Sequence, residues 1–343
     1  MAENMNKRNS AVDLTKYVAA MLVIGIHTSP FKEISADINF YFCHVLCRLA
    51  VPFFVVCTGY YLTKRLVFER DRLCNSKDNL LILKKNLYKI ALMYLSWSLF
   101  YLIILLYSWT DAGAHMTYLY FIGWCQSLLI GSSFYHLWYM LAIFLALIWF
   151  YLLLRYVKFR YLPMIAYFLW ALEVLEYAYR DFLPMDVQQY LKFFDYFGSI
   201  SVSFTRMLPL LLVGAMIAKG WHKKTGVYRK VLLCFAMMTA EVVGLKLFGG
   251  TRYSFVIFTL PMAYFLFIFI LKLGNMLNFD SKKWADISML VYCLHPAFIF
   301  LFRKLHISEP LIVFILTSIM TTIFCILYYR WKRHYQAAKS VSL

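Results

Sequence analysis

Long apolar runs alternate along this chain with short, mostly basic breaks. Ten of the runs approach the roughly 20 residues that a helix needs to cross about 30 Å of hydrocarbon. They cover residues 12–31, 40–62, 87–109, 136–154, 161–179, 199–218, 231–248, 254–273, 287–302 and 311–330. An eleventh, YLYFIGWCQSLLI at 118–130, is shorter, contains Gly123 and Gln126, and reads as an interfacial or re-entrant segment. The longest breaks, 63–86 and 180–198, leave no room for a folded soluble domain. The pattern therefore predicts an all-α, polytopic membrane helix bundle, one transmembrane domain over 1–335 with a short tail at 336–343. No heptad pattern, low-complexity tract or internal repeat interrupts it. Lys7 and Arg8 precede the first run as in a signal peptide, but no small-residue cleavage pattern follows, so the run reads as a retained first helix.

Charge decides how often the chain crosses. Lys and Arg number 35 against 17 Asp and Glu, a net charge of +18, and basic residues collect on the cytoplasmic side of membrane helices. With the N-terminus inside, ten crossings place TKRLVFERDRLCNSKDNLLILKKN, RYVKFR, KGWHKKTGVYRK, the stretch around SKKW and RWKRHYQAAKS in the cytoplasm. These segments, with the N-terminus and the helix ends, hold most of the 35. Counting 118–130 as a further crossing would put RYVKFR and KGWHKKTGVYRK outside. Ten transmembrane helices with both termini cytoplasmic is the better arrangement.

Composition narrows the class. At 63% hydrophobic and 15% charged, the chain lacks the roughly one-quarter charged residues of a soluble domain. Its basic residues sit between apolar runs and not along a soluble face, which points to a lipid bilayer and not nucleic acid as the partner. The eight cysteines fit neither a disulfide framework nor a four-cysteine zinc site. Cys43-His44-x-x-Cys47 is their only close group, and buried cysteines usually act as small apolar residues, so no metal is expected.

Ionisable groups at membrane depth are costly and usually face a bundle interior or a wet cavity. Lys16 and His27, eleven residues apart, share one face of the first helix about 16 Å apart along its axis. Lys16 falls near the cytoplasmic surface and His27 near the outer one. Arg48 lies deep in the second run, just before Pro52; His136 opens the fourth run beside Trp138 and Tyr139; Arg206 sits in the outer part of the sixth; Arg252 follows Gly249 and Gly250 in a short outer turn. Ser288, Tyr292 and His295 form one helical stripe in DISMLVYCLHPAFIF, and Pro296 can bend the helix beside it. Two cationic regions joined through a membrane suit anionic or phosphorylated ligands. A neutral histidine between them can take a proton from a hydroxyl or amine attacking an activated carbonyl.

DLTKYVAAMLVIGIHTSP, RLAVPFFVVCTGYYL, FYHLWYM, TRMLPLLLVGAMIA and SMLVYCLHP resemble, in order and spacing, the signature segments of the acyltransferase-3 family of integral membrane O-acyltransferases. RLAVPFF…GYYL with YHLWY is most similar to the membrane domain of the vancomycin-resistance membrane-bound serine racemases. The resemblance implies a ten-helix bundle in the bacterial plasma membrane. It also implies a cytoplasmic acyl-CoA donor, commonly acetyl-CoA, and a hydroxyl acceptor on the outer side such as a cell-envelope glycan. Its first-helix motif, a basic residue eleven positions before an essential histidine, falls on Lys16 and His27 as the catalytic pair. Arg48, His136, Arg206, Arg252, Ser288, Tyr292 and His295 then become substrate-binding candidates. The racemase relatives continue into a soluble pyridoxal-phosphate domain, whereas this sequence stops at HYQAAKSVSL. It reads either as a stand-alone relative or as a membrane domain separated from a soluble enzyme domain, and the second case implies handling of L-serine or another small amino acid.

Overall fold

A computed structural model describes residues 8–109, 114–195, 198, 202–220, 225–274, 276–277 and 279–341. The described residues form α1 (Ser10–Thr28), α2 (Ala36–Arg65), α3 (Lys77–Trp109), α4 (Ala114–Ile130), α5 (Trp138–Tyr156), α6 (Leu162–Glu176), α7 (Met185–Asp195), α8 (Ser203–Ala218), α9 (Val227–Leu247), α10 (Thr259–Gly274), α11 (Lys282–Lys304) and α12 (Pro310–Val341). Each of the ten apolar runs falls on one of them. Six helices, α1, α2, α3, α5, α11 and α12, are long and apolar enough to cross a membrane, and shorter apolar helices join them. The chain is an all-α, multi-pass membrane protein. Part of KGWHKKTGVYRK, residues 221–224, and the last two residues lie outside the described residues, while α12 continues through most of the predicted tail.

The helices fall into two compact units. The first takes the chain up to Phe54, a short piece ending at Ala236, and everything from Phe265 onward. Its centre is a sheaf of α1, α11 and α12 around Ala20, Ile24, Ile287, Val291 and Cys325. α1 starts where Asn9, in an extended conformation, accepts from the Val12 N–H at 3.0 Å. It stops at Ser29, which takes a left-handed conformation (φ 49°) just before Pro30. Four links climb α1 and α11 in the same order: the Ser10 hydroxyl to the Phe279 carbonyl, Ser281 to Asp13, Tyr17 against Trp284, and His27 against His295. The two helices are therefore parallel.

That direction bears on the crossing count. A parallel pair would start on the same side of a membrane, with an even number of crossings between the two starts; the eight long apolar runs that precede α11 in the sequence satisfy this without 118–130.

The second unit contains α4 and the long helix against which it packs. It runs from Val55 to the loop before α9 and resumes over Met237–Tyr264. Its α3 has 33 residues, about 50 Å, longer than the hydrocarbon is thick. α4 folds back along one part of it, with Trp109 against Tyr120 and the Tyr94 hydroxyl donating to the Leu128 carbonyl. α5 also runs back along α3, and its start is level with the last part of α4. Its start lies near Tyr101 through His136, and its far end leads to Phe159, whose N–H donates to the Asp71 carbonyl just before α3. The segment expected to be interfacial or re-entrant is a continuous helix, and α4 and α5 both run antiparallel to α3.

A two-stranded hairpin, β1 (Phe68–Glu69) paired with β2 (Arg72–Leu73), precedes α3. The buried Asn79 side chain ties it down through the Val67 N–H and the Val67 and Cys74 carbonyls.

Candidate functional site

The first unit brings four of the sequence candidates together. α1 and α2 meet at Gly25, where an added Cβ would lie 2.7 Å from the Phe42 ring and 3.2 Å from the Cys47 sulfur. A side chain there would have to displace the Phe42 ring, so Gly25 lets α1 and α2 pack closely beside His27. That part of α2 is not regular. A π turn over Phe42–Leu46 and a 3₁₀ turn over Cys47–Leu49 come just before Pro52. Pro52 has no N–H for the Arg48 carbonyl one turn back, and such irregular turns are frequent at functional sites. The result holds Arg48 within electrostatic reach of His27.

From the other side, the His295 ring stacks on His27 with centroids 5.4 Å apart and planes at 24°. His295 is fully buried (0% exposed), and its Nδ1 lies 2.8 Å from the Tyr292 carbonyl oxygen. The Tyr292 ring sits 6.2 Å from His295 and 6.4 Å from Phe54. Ser288 shares the stripe, and its hydroxyl donates to the Ala285 carbonyl of its own helix.

Lys16 is at the opposite end of α1, paired with Asp13 at 3.4 Å. Asp13 is 3% exposed, also pairs with Arg8 at 3.1 Å, and accepts from the Ser281 hydroxyl at 2.9 Å. Sequence reasoning passed over Asp13, although an acid inside the first apolar run was as visible there as Lys16.

The second unit holds the remaining candidates. Arg206 lies in a π turn, Ser203–Met207, just before Pro209. Its guanidinium binds Glu173 through Nε at 2.7 Å and Nη2 at 2.6 Å, and Thr205 donates to the other carboxylate oxygen at 2.7 Å. The rings of Phe255, Tyr177 and Trp138 surround the cation at 4.1, 4.9 and 5.6 Å. Arg206 is thus engaged by a carboxylate and an aromatic cage. Arg252 likewise pairs with Asp181, which also accepts from the Thr251 N–H and hydroxyl. Burial disfavours the ionised form of Asp181, but the Thr251 hydrogen bonds and the Arg252 charge outweigh it and hold the carboxyl below its ordinary range. His136 is 1% exposed and sits edge-on to Tyr101 at 5.0 Å. The acidic partners, Glu173 and Asp181, were not anticipated; Glu173 could have been, as an acid inside the fifth apolar run.

Among the described residues no group of His, Cys, Asp and Glu is placed to hold a metal ion. The thiol of Cys43 instead faces the Gly25 carbonyl at 3.7 Å. A histidine and a guanidinium at the far end of α1 from a buried acid–lysine pair can deprotonate a hydroxyl and stabilise an oxyanion.

A family profile described as an acyltransferase domain matches residues 9–330. The chain belongs to the acyltransferase-3 family. Within this acyltransferase-3 protein the match runs from the residue that caps α1 to the basic end of the α12 span. Among curated relatives, an amino-acid racemase of Enterococcus faecalis is 29% identical over 94% of this chain and 45% of its own length. A serine/alanine racemase of Enterococcus gallinarum is 27% identical over 96% of this chain and 48% of its own length. The chain spans about half the length of these relatives. No solved structure matches it.

Proposed function

We propose that this chain is an O-acyltransferase of the bacterial plasma membrane. It moves an acyl group, acetyl foremost, from a cytoplasmic acyl-CoA to a hydroxyl acceptor on the outer side, such as a cell-envelope glycan. The observation carrying this reading is the assembly of His27, Arg48 and His295 in one unit of a protein of this family.

In the step envisaged, His27 takes the proton of the acceptor hydroxyl while its oxygen attacks the thioester carbonyl carbon. A C–O bond forms, the C–S bond breaks, and the proton passes to the leaving thiolate. Arg48 stabilises the oxyanion between these events. Lys16, beside Asp13, faces the donor, and Tyr292 and His295 orient the cavity.

With purified protein, labelled acetyl-CoA and a panel of glycan acceptors, transfer or hydrolysis should fall about 10²–10⁴-fold in His27→Ala, the usual contribution of a general base. Arg48→Ala should cost about 10²–10³-fold. Equal inertness of wild type and His27→Ala across the panel would remove the proposal.

The names of the relatives favour a second reading, in which the chain handles L-serine or a similar amino acid for a soluble racemase domain, fused or separate. Arg48 would then hold the substrate carboxylate. Proteoliposomes should take up labelled L-serine, and Arg48→Gln should abolish the uptake; no uptake under any ion gradient would count against it.

A further inference from the structure

α11 carries Pro296 in its interior, immediately after His295. In a regular α-helix the N–H of residue 296 would donate to the carbonyl of residue 292. Proline has no N–H, so the Tyr292 carbonyl loses its helical donor inside a buried stretch. The His295 side chain takes that donor's place, with Nδ1 2.8 Å from the Tyr292 oxygen. A carbonyl oxygen can only accept, so Nδ1 carries the proton and Nε2 presents a lone pair. The anchored ring lies flat against His27. Turning Nδ1 away would break this hydrogen bond.

We propose that Pro296 is a positioning residue: by removing one backbone donor it fixes His295 as the Nδ1–H tautomer, and the stacked ring holds the His27 imidazole in place. The relevance of this to catalysis rests on the reading of His27 as general base, but its geometry does not. Any residue other than proline at 296 would bring back an N–H that competes with His295 for the Tyr292 carbonyl and weakens the preference for the Nδ1–H tautomer.

The test is nitrogen-15 NMR of the full chain in detergent or nanodiscs, labelled at histidine, with His295 assigned by the signal lost in His295→Asn. Wild type should show a pyrrole-like Nδ1 and a pyridine-like Nε2 at His295. Pro296→Ala should convert these to an averaged or reversed pair. His295→Asn should also remove the ring-current shift on the His27 protons. An Nε2–H tautomer in wild type, an unchanged His295 in folded Pro296→Ala, or an unmoved His27 in His295→Asn would each overturn the proposal. Should Pro296→Ala fail to fold, the wild-type tautomer and the His27 shift decide it. Acyl transfer is not the readout, so this result stands apart from that of the His27→Ala assay.

Discussion

At the scale of single residues, three of the cations singled out in the sequence are held by carboxylates: Lys16 by Asp13, Arg206 by Glu173 and Arg252 by Asp181. Glu173, 2% exposed, holds both Arg206 and Thr205. Removing one member of a buried ion pair leaves the other charge uncompensated, which typically costs about 3–5 kcal/mol. Glu173→Gln should therefore lower the unfolding temperature in detergent substantially. Removing both charges in Glu173→Gln/Arg206→Met should recover most of the loss; a double variant as unstable as the sum of the singles would show that no such coupling exists. The exposed Arg252–Asp181 pair should matter in a different way. Because the folded carboxyl of Asp181 is held below its ordinary value, the unfolded state binds more protons in acid. Its contribution is present above the unfolded pKa of about 3.9 and is lost as pH falls through the folded value. Amide exchange at Thr251, whose N–H donates to Asp181 at 2.8 Å, should accelerate on acidification beyond the intrinsic rate in wild type and show no such extra dependence in Asp181→Asn. The cations were legible in the sequence because a charge in an apolar run stands out. Their roles were not, because Glu173 and Arg206 are 33 positions apart and only the fold makes them neighbours.

At the scale of elements, the apolar runs located the spans but not how closely they pack. In the second unit α2 and α8 cross backbone to backbone at Gly59 and Gly214. A Cβ on Gly59 would collide with the Leu211 carbonyl, and one on Gly214 with the Val56 carbonyl and, at 2.6 Å, the Tyr60 nitrogen. Neither obstacle is a side chain that can swing aside. Small residues at such crossings let membrane helices approach closely, and overpacking a fitted interface costs about 1–3 kcal/mol. Gly59→Ala and Gly214→Ala should both lower thermal stability by at least that much. Gly244→Ala in α9, with nothing within 4 Å, should be neutral or gain up to about 1 kcal/mol from helix propensity. Similar melting temperatures for all three would refute the close crossing. The pairing of Gly59 with Gly214 had no local signal, since it depends on which helices meet. The segment 118–130, too short in the sequence to count as a span, is a helix that folds back along α3.

At the scale of the whole molecule, the parallel course of α1 and α11 is compatible with the topology that charge in the loops favours. The loops call for ten crossings because an eleventh would carry basic segments outside. The parallel course of α1 and α11, read from Ser10, Asp13, Tyr17 and His27 against their partners, calls for an even number of crossings before α11 begins. Lys16 and Asp13 lie at one end of α1 and His27 at the other, and the charge of the loops assigns the first end to the cytoplasm in the proposed orientation. The proposed direction of acyl transfer follows from that orientation. Three exposed positions test it: Lys158 between α5 and α6, Lys282 at the start of α11, and Glu309 between α11 and α12. With single cysteines at each in a cysteine-free chain, a membrane-impermeant maleimide on intact cells should label Glu309→Cys and should reach Lys158→Cys and Lys282→Cys only after permeabilisation. Labelling of Lys158→Cys in intact cells would make α4 a true crossing. Labelling of Lys282→Cys with the N-terminus inside would break the parallel pairing of α1 with α11, and with it the stacking of His27 on His295 on which the candidate site depends.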